Sequence, residues 1–434
     1  EEVPRVDAST LRPGDLVDQL TKPVVLTNLA ESWPARHSWS TEYLATVHGS
    51  QRVALLRLAE EVFQKDKFSA AVGNSFYADH VRNAYVPFVR MPEQLSLAEY
   101  IQHHFSDYVF DIGDNSVARQ VCVDAFGGPE NLPDLLAFDD LTQLTFGMGP
   151  AKDGVMFHAH TAAWNALMFG EKEWFFYSPD GFVGEAYDRL SLLGATKLVE
   201  ALGLQGGDAV ATPKPIRCRQ YPGEVIWVPD GWWHATFSHT DTACLGGQRH
   251  KERLPRYWAE DLLRQWPRSG LFLNARAKEL SDPLLFEAAI ELEPVNLRFT
   301  TEYMVFLRDQ GEYAKEVRIA LNLKSVMENA CRQGLLGRAE LGAVLASLGD
   351  VLYHTVEVMG LVAMISSMNP DYDAKKTQAS FVELMQVSMA ARSLVTEALM
   401  LDQGCELARS LLEAMDEKAR AADFRNLPPG ILNA

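Results

Sequence analysis

Two histidines flank a single alanine at His158-Ala159-His160, and a third follows far downstream in Gly231-Trp232-Trp233-His234. On a β-strand, residues two apart point to the same face. The spacing therefore predicts that His158 and His160 look together into a small β-barrel while His234 approaches from a distant, antiparallel strand. One metal ion can tie three such imidazoles together.

The rest of the chain divides by texture near residue 252. Up to about Gln248 it is rich in aromatics, Gly and Pro, with short β-type runs at Pro23 to Leu26, Leu141 to Gly147, Trp174 to Tyr177 and Glu224 to Val228, each bounded by turn signals. From Pro255 onward amphipathic helical patterns take over. They run from Leu335 to Met368, break at Asn369-Pro370, resume from Thr377 to Leu401, and continue from Gly404 to Ala422. We therefore expect a barrel-type domain with its lead-in over residues 1–252 and an all-α domain over residues 253–434, α+β overall. A chain of 434 residues with 47% hydrophobic content can bury a core of that size.

Charge and cysteine usage exclude several classes. Forty basic residues against 58 acidic ones give a net charge of -18, which opposes nucleic acid and anionic membrane surfaces. Cys122, Cys218, Cys244, Cys331 and Cys405 are too scattered for a disulfide framework or a zinc knuckle. The apolar stretch Val356 to Met368 is too short to span a bilayer and carries Glu357, so it reads as a core helix. The chain opens on Glu1-Glu2 without an initiator Met, read here as a targeting segment removed or left out ahead of it, which leaves the compartment open.

Around the histidines stand Asn165-Ala166-Leu167, Gly170-x-Lys172-x-Trp174 and Pro229-x-Gly231-Trp232-Trp233-His234, in that order. These blocks resemble the jumonji-C (JmjC) branch of the cupin-like 2-oxoglutarate oxygenases. Pro23-Val24-Val25-Leu26, Trp33-Pro34 and Trp39 to Leu44 resemble the same family's lead-in more weakly, and the likeness fades after about residue 250. The resemblance implies a double-stranded β-helix, the cupin jelly roll, holding Fe(II) by two histidines and a carboxylate, with open positions for 2-oxoglutarate and O₂. His158 and His234 match the two histidine positions. His160 stands where most catalytic members carry Asp or Glu, so a neutral ligand replaces an anion. Lys172 and Asn165 match residues that contact the co-substrate. Val155 and Gly246, by contrast, occupy positions where a hydroxyl residue is common, so two co-substrate hydrogen bonds are expected to be missing. Asp153 and Asp230 are the nearest substitute carboxylates, and His239 is a candidate for the pocket mouth, although solvated loops are the plainer expectation. His103 and His104 read as surface residues, and Trp232 and Trp233 as packing.

Three functional readings follow. The first is an Fe(II)/2-oxoglutarate-dependent hydroxylase of a protein side chain, with His158, His160 and His234 on iron and Lys172 and Asn165 on the co-substrate. The second is a catalytically inactive JmjC-like scaffold whose C-terminal helices bind a partner protein or a second copy. The third is a three-histidine metalloenzyme, with zinc or iron, that does not use 2-oxoglutarate. Lysine demethylation carries less weight, because the chain has no reader domain, no zinc finger and no basic bias toward chromatin.

Overall fold

The computed structural model describes residues 2–58, 88–105, 108–112, 117–138, 142–204, 213–249, 258–367 and 374–421. Contacts divide the chain into two compact units, one of Glu1–Arg57 and Arg90–Glu293, the other including Pro294–Ala434. Each is taken by itself.

The described residues include the strands β1 (Arg5–Asp7), β2 (Val24–Thr27), β3 (Arg52–Leu58), β4 (Phe88–Ser96), β5 (Tyr108–Ile112), β6 (Thr142–Gly149), β7 (Ala163–Phe169), β8 (Lys172–Tyr177), β9 (Ile216–Gln220), β10 (Val225–Val228), β11 (Trp233–Ser238) and β12 (Thr242–Arg249), nearly all within the first unit. They form a nine-stranded sheet in the order β1-β2-β10-β7-β12-β6-β5-β3-β4 and a three-stranded sheet, β11-β8-β9. Among the described residues the strands thus form two sheets, not the closed barrel that the spacing of the histidines suggested.

Strand alternation sorts the side chains into two layers. Val24, Leu26, Trp164, Ala166, Met168, Val225, Trp227 and Leu245 join one core with Trp33, Trp39, Tyr100 and Val121 from the helical lead-in. The intervening residues Val25, Ile226 and Val228 turn the other way and pack with Trp174 and Phe176 of the small sheet and with Trp232 just ahead of it. Asn165, between Trp164 and Ala166, and Gly246, beside Leu245, belong by the same alternation to the inter-sheet side. Trp164 and Trp227 are almost wholly buried, and burying even a Phe-sized side chain contributes about 1.5–3 kcal/mol. The small sheet is buried on both faces of β8 and β11, as its run Trp174-Phe175-Phe176-Tyr177 requires.

The second unit contains helices Leu297–Asp309, Tyr313–Arg332, Arg338–Ser367, Ala374–Leu401 and Glu406–Ala421. The helical pattern expected from Leu335 begins three residues later, and those expected at Thr377 and Gly404 appear within three residues of their predicted starts. Asn369-Pro370, the expected break, lies outside the described residues. Leu341, Val344, Leu345, Leu348 and Leu352 of one long helix, and Val387, Ala391, Leu394, Val395 and Ala398 of the next, are buried. One stretch, Leu341–Met359, is long and apolar enough to cross a membrane, but 78% of it is buried within the protein, as in a core helix.

Candidate metal centre

His158 and His160 do not sit on a regular strand. They lie in the segment between β6 and β7, where His158 forms an isolated antiparallel bridge with His234 of β11. The backbone reason is local. His158 N donates to His234 O at 3.0 Å and His234 N returns the bond at 2.9 Å, but between Val155, three residues before His158, and Thr236, two residues after His234, the ladder falls out of register, with Thr236 N donating to Val155 O at 2.7 Å. Val155 N donates to the Thr236 side-chain hydroxyl at 3.0 Å rather than to a carbonyl. His160 is fixed from the opposite end, because its carbonyl accepts from Gly231 N at 2.8 Å. Gly231 has φ +74, and a Cβ there would run into the Phe272 ring, so glycine alone makes this approach without strain.

The three rings converge. Their centroids stand 4.1 Å apart for His158 and His234, 4.7 Å for His160 and His234, and 5.3 Å for His158 and His160. One nitrogen from each lies within 4.8 Å of the other two, and no carboxylate or thiol joins this cluster among the described residues. Each Nδ1 is engaged by a main-chain carbonyl: Met156 O at 2.8 Å for His158, Thr161 O at 2.5 Å for His160 and Trp232 O at 2.9 Å for His234. A carbonyl can only accept, so Nδ1 carries the proton and Nε2 carries the lone pair in all three rings. That outer-shell arrangement is what orients ligating histidines. Burial, reinforced by His160, pushes the His158 pKa down to about 3. Burial lowers His160 as well, and burial together with its two neighbours takes His234 well below the ordinary value. The rings are therefore neutral at pH 7 and ready to ligate.

Beside them is a cavity of about 70 Å³, lined among others by Thr145, Asn165, Lys172, Trp174, Thr236 and the three histidines. That is small against the ~300–1,000 Å³ of pockets for drug-sized ligands. The two co-substrate residues expected from the sequence are thus brought to the same cavity as the three histidines. Lys172 is 1% exposed, and its Nζ stands 3.6 Å from Cys244 Sγ. Its neighbours pair outward, Glu171 with Arg219 at 2.6 Å and Glu173 with Arg217 at 2.5 Å, so Lys172 is no solvated strand residue. Asn165 Oδ1 is a buried acceptor with no hydrogen-bond partner among the described residues, so it suits a donor group rather than a second acceptor.

Other residues singled out in the sequence stay out of the cavity. Asp230 accepts from Ala162 N at 2.7 Å and pairs with Arg249 at 2.9 Å, while burial raises its pKa against the pull of Arg249. It holds the chain beside the site and does not line the cavity. Asp153 accepts from the Gly154 amide at 2.7 Å and is likewise not a lining residue. His239 bonds Glu173 at 2.9 Å instead of facing the cavity mouth. Trp232 donates to Thr21 O, and Trp233 packs on Phe182 at 5.0 Å, the packing roles expected.

Three contributors escaped sequence reasoning. Thr145 and Thr236 bring hydroxyls to a cavity where Val155 and Gly246 bring none. Gln220, fully buried, accepts from Trp174 Nε1 at 2.8 Å and donates to the carbonyls of Asn165 and Glu224 at 2.8 and 3.0 Å, strapping the small sheet to the large one. Through Trp174, whose indole stacks on His234 at 5.9 Å, that strap reaches the histidine cluster. These residues sit on strands whose pairing no local motif announces.

Comparison with known proteins completes the description. Residues 17–246 match the family profile described as a cupin-like domain. A lysine-specific demethylase of Arabidopsis thaliana is 28% identical over 253 residues, covering 52% of this chain and 23% of that protein. JmjC domain-containing protein 8 of Mus musculus is 25% identical over 217 residues, 50% of this chain and 70% of that one. The bifunctional arginine demethylase and lysyl-hydroxylase psr-1 of Caenorhabditis elegans is 24% identical over 318 residues, 62% of this chain and 70% of that one. The chain thus spans less than a quarter of the plant relative's length, and the similarity to mouse and worm proteins covers half to two thirds of this chain.

Proposed function

Because the chain belongs to the cupin-like domain family, in its JmjC branch, we propose that it is an Fe(II)- and 2-oxoglutarate-dependent oxygenase that hydroxylates a protein side chain. His158, His160 and His234 would hold the metal, and Lys172 and Asn165 the co-substrate. The observation that carries this reading is the set of three imidazoles, each held at Nδ1 by a carbonyl, beside a buried lysine in one cavity. Fe(II) and 2-oxoglutarate, when bound, supply the oxidising power of O₂, with succinate and CO₂ as by-products of placing one oxygen atom on a substrate C–H. The chain's own residues orient and exclude. Lys172 neutralises a carboxylate where little water reaches, Trp174 and Val228 close the apolar wall, and the carbonyls of Met156, Thr161 and Trp232 keep the imidazoles from turning away. A protein substrate is preferred because relatives carry names that state demethylation and lysyl hydroxylation.

The test is succinate released from 2-oxoglutarate by the Fe(II)-reconstituted protein in air, with His234→Ala as control. Iron-dependent succinate, abolished in the variant, is the expected result. A second reading draws on one specific observation, the absence of any carboxylate from the histidine cluster among the described residues. In it the domain is an inactive scaffold and the helices after Pro294 bind a partner or a second copy. Retained partner binding in His158→Ala with no succinate from wild type would favour it. Metal retained with no dependence on 2-oxoglutarate would instead point to a three-histidine metalloenzyme, zinc included.

A further inference from the structure

We propose that Thr145 provides the hydroxyl that binds the anionic co-substrate, and that Gly246 is glycine because Thr145 needs its space. The inference rests on the 2-oxoglutarate reading of the cavity. Thr145 and Gly246 are direct partners in the β6–β12 ladder. Leu144 and Phe146 point into the aromatic core of the lead-in, so alternation turns Thr145 to the inter-sheet side, where it is buried and lines the cavity with Lys172 and Asn165. A Cβ at position 246 would strike Thr145 Oγ1 and stand 2.8 Å from the Trp164 carbonyl. A side chain at 246 and the Thr145 hydroxyl therefore compete for one volume, and this chain gives it to the hydroxyl. On the opposite face of β12 a Cβ at Gly247 would lie 2.6 Å from the Trp164 indole, so the glycine pair yields its space to neighbouring strands on both sides of the sheet.

Two threonine hydroxyls line the cavity, and their hydrogen bonds separate them. Thr236 Oγ1 already accepts from Val155 N and serves the irregular ladder that carries His158. Thr145 sits across β12 from Asn165, for Gly246 pairs with both, so the two line the cavity from either side of the glycine. A hydroxyl can donate its proton to a carboxylate oxygen. That places Thr145 as a binding residue for the carboxylate that Lys172 neutralises, and as a determinant of which small acids fit.

The experiment is anaerobic calorimetric titration of 2-oxoglutarate into Fe(II)-reconstituted full chain, comparing wild type with Thr145→Val, Thr145→Ala, Thr145→Ser and Gly246→Ala. Metal content and melting temperature are measured on each. Thr145→Val and Thr145→Ala should raise Kd about tenfold or more at unchanged metal content, as expected for a lost bond to a charged group. Thr145→Ser should stay within a few-fold of wild type. Gly246→Ala should weaken binding as well, and adding it to Thr145→Val should cost little more, because both act on one hydroxyl. Wild-type affinity in Thr145→Val or Thr145→Ala overturns the inference while leaving the co-substrate site standing. Metal-loaded wild type that does not bind 2-oxoglutarate overturns both together.

Discussion

The histidine cavity and the interior of the helical unit both bury titratable groups, and they do so in opposite ways. At the cavity, His158, His160 and His234 converge, each with its Nδ1 satisfied by a carbonyl and its lone pair left on Nε2. In the helical unit a lone carboxylate, Glu316, is wholly buried, accepts from Thr355 Oγ1 at 2.8 Å, and leaves Oε2 without a partner. Burial raises its pKa to about 7, with Thr355 and Arg308 pulling it down and Asp309 adding to the rise. The contrast separates a binding site from a cost of packing. Convergent groups whose outer atoms are all held point at something between them, whereas a single group with one satisfied oxygen only adds a penalty to its own unit.

Four changes break or sharpen that contrast, the largest effect first and the smallest last. Gly231→Ala should be the most severe, because it combines a positive φ with a collision against Phe272. We expect about 4 kcal/mol of lost stability from strain and overpacking together, read by denaturant unfolding. A loss below about 1 kcal/mol would show that the turn holding His160 relaxes easily. Next, Lys172→Met should weaken 2-oxoglutarate binding about a hundredfold while metal content stays unchanged. Calorimetry decides, and unaltered affinity would remove Lys172 from the site.

Glu316→Gln comes third, and its sign is fixed by linkage. The folded-state pKa stands above the ordinary carboxylate value, so the folded protein holds the proton more tightly and stability falls as pH rises from about 4.5 through about 7. The amide variant escapes that loss. It should exceed wild type by about 3 kcal/mol at pH 8 and by little at pH 4, and an equal effect at both values would contradict a protonation origin. Last, Arg189→Ala removes an exposed helical ion pair with Glu185 and should change stability by less than about 0.5 kcal/mol. A larger change would mean that surface charge matters more in this highly acidic protein than the contrast assumes.

Which residues gather around the candidate cavity could largely be read from local patterns. His158, His160 and His234 were legible because short motifs carry them, and Lys172 and Asn165 because they stand in the same blocks. The break in the strand at His158 was not, since it depends on Thr236 meeting Val155 out of register, through both its amide and its hydroxyl. Thr145 and Gln220 were invisible for a related reason. Their meaning comes from register, Thr145 opposite Gly246 and Gln220 reaching across to Asn165, and register is a property of two strands that neither strand states alone. Asp230, a candidate substitute carboxylate by its place in the sequence, is held by Arg249 on a distant strand, a pairing no local pattern announces. The helices were easier, because a 3.6-residue apolar period over Arg338–Ser367 and Ala374–Leu401 needs no partner to be recognised.

The most direct test of the central claim is metal content by elemental mass spectrometry, after anaerobic Fe(II) reconstitution and desalting, in wild type, His158→Ala and His234→Ala. The three-histidine centre predicts one metal per chain in wild type and none in either variant. Metal retained equally in all three proteins would contradict it, as would a wild type that holds none even when 2-oxoglutarate is present.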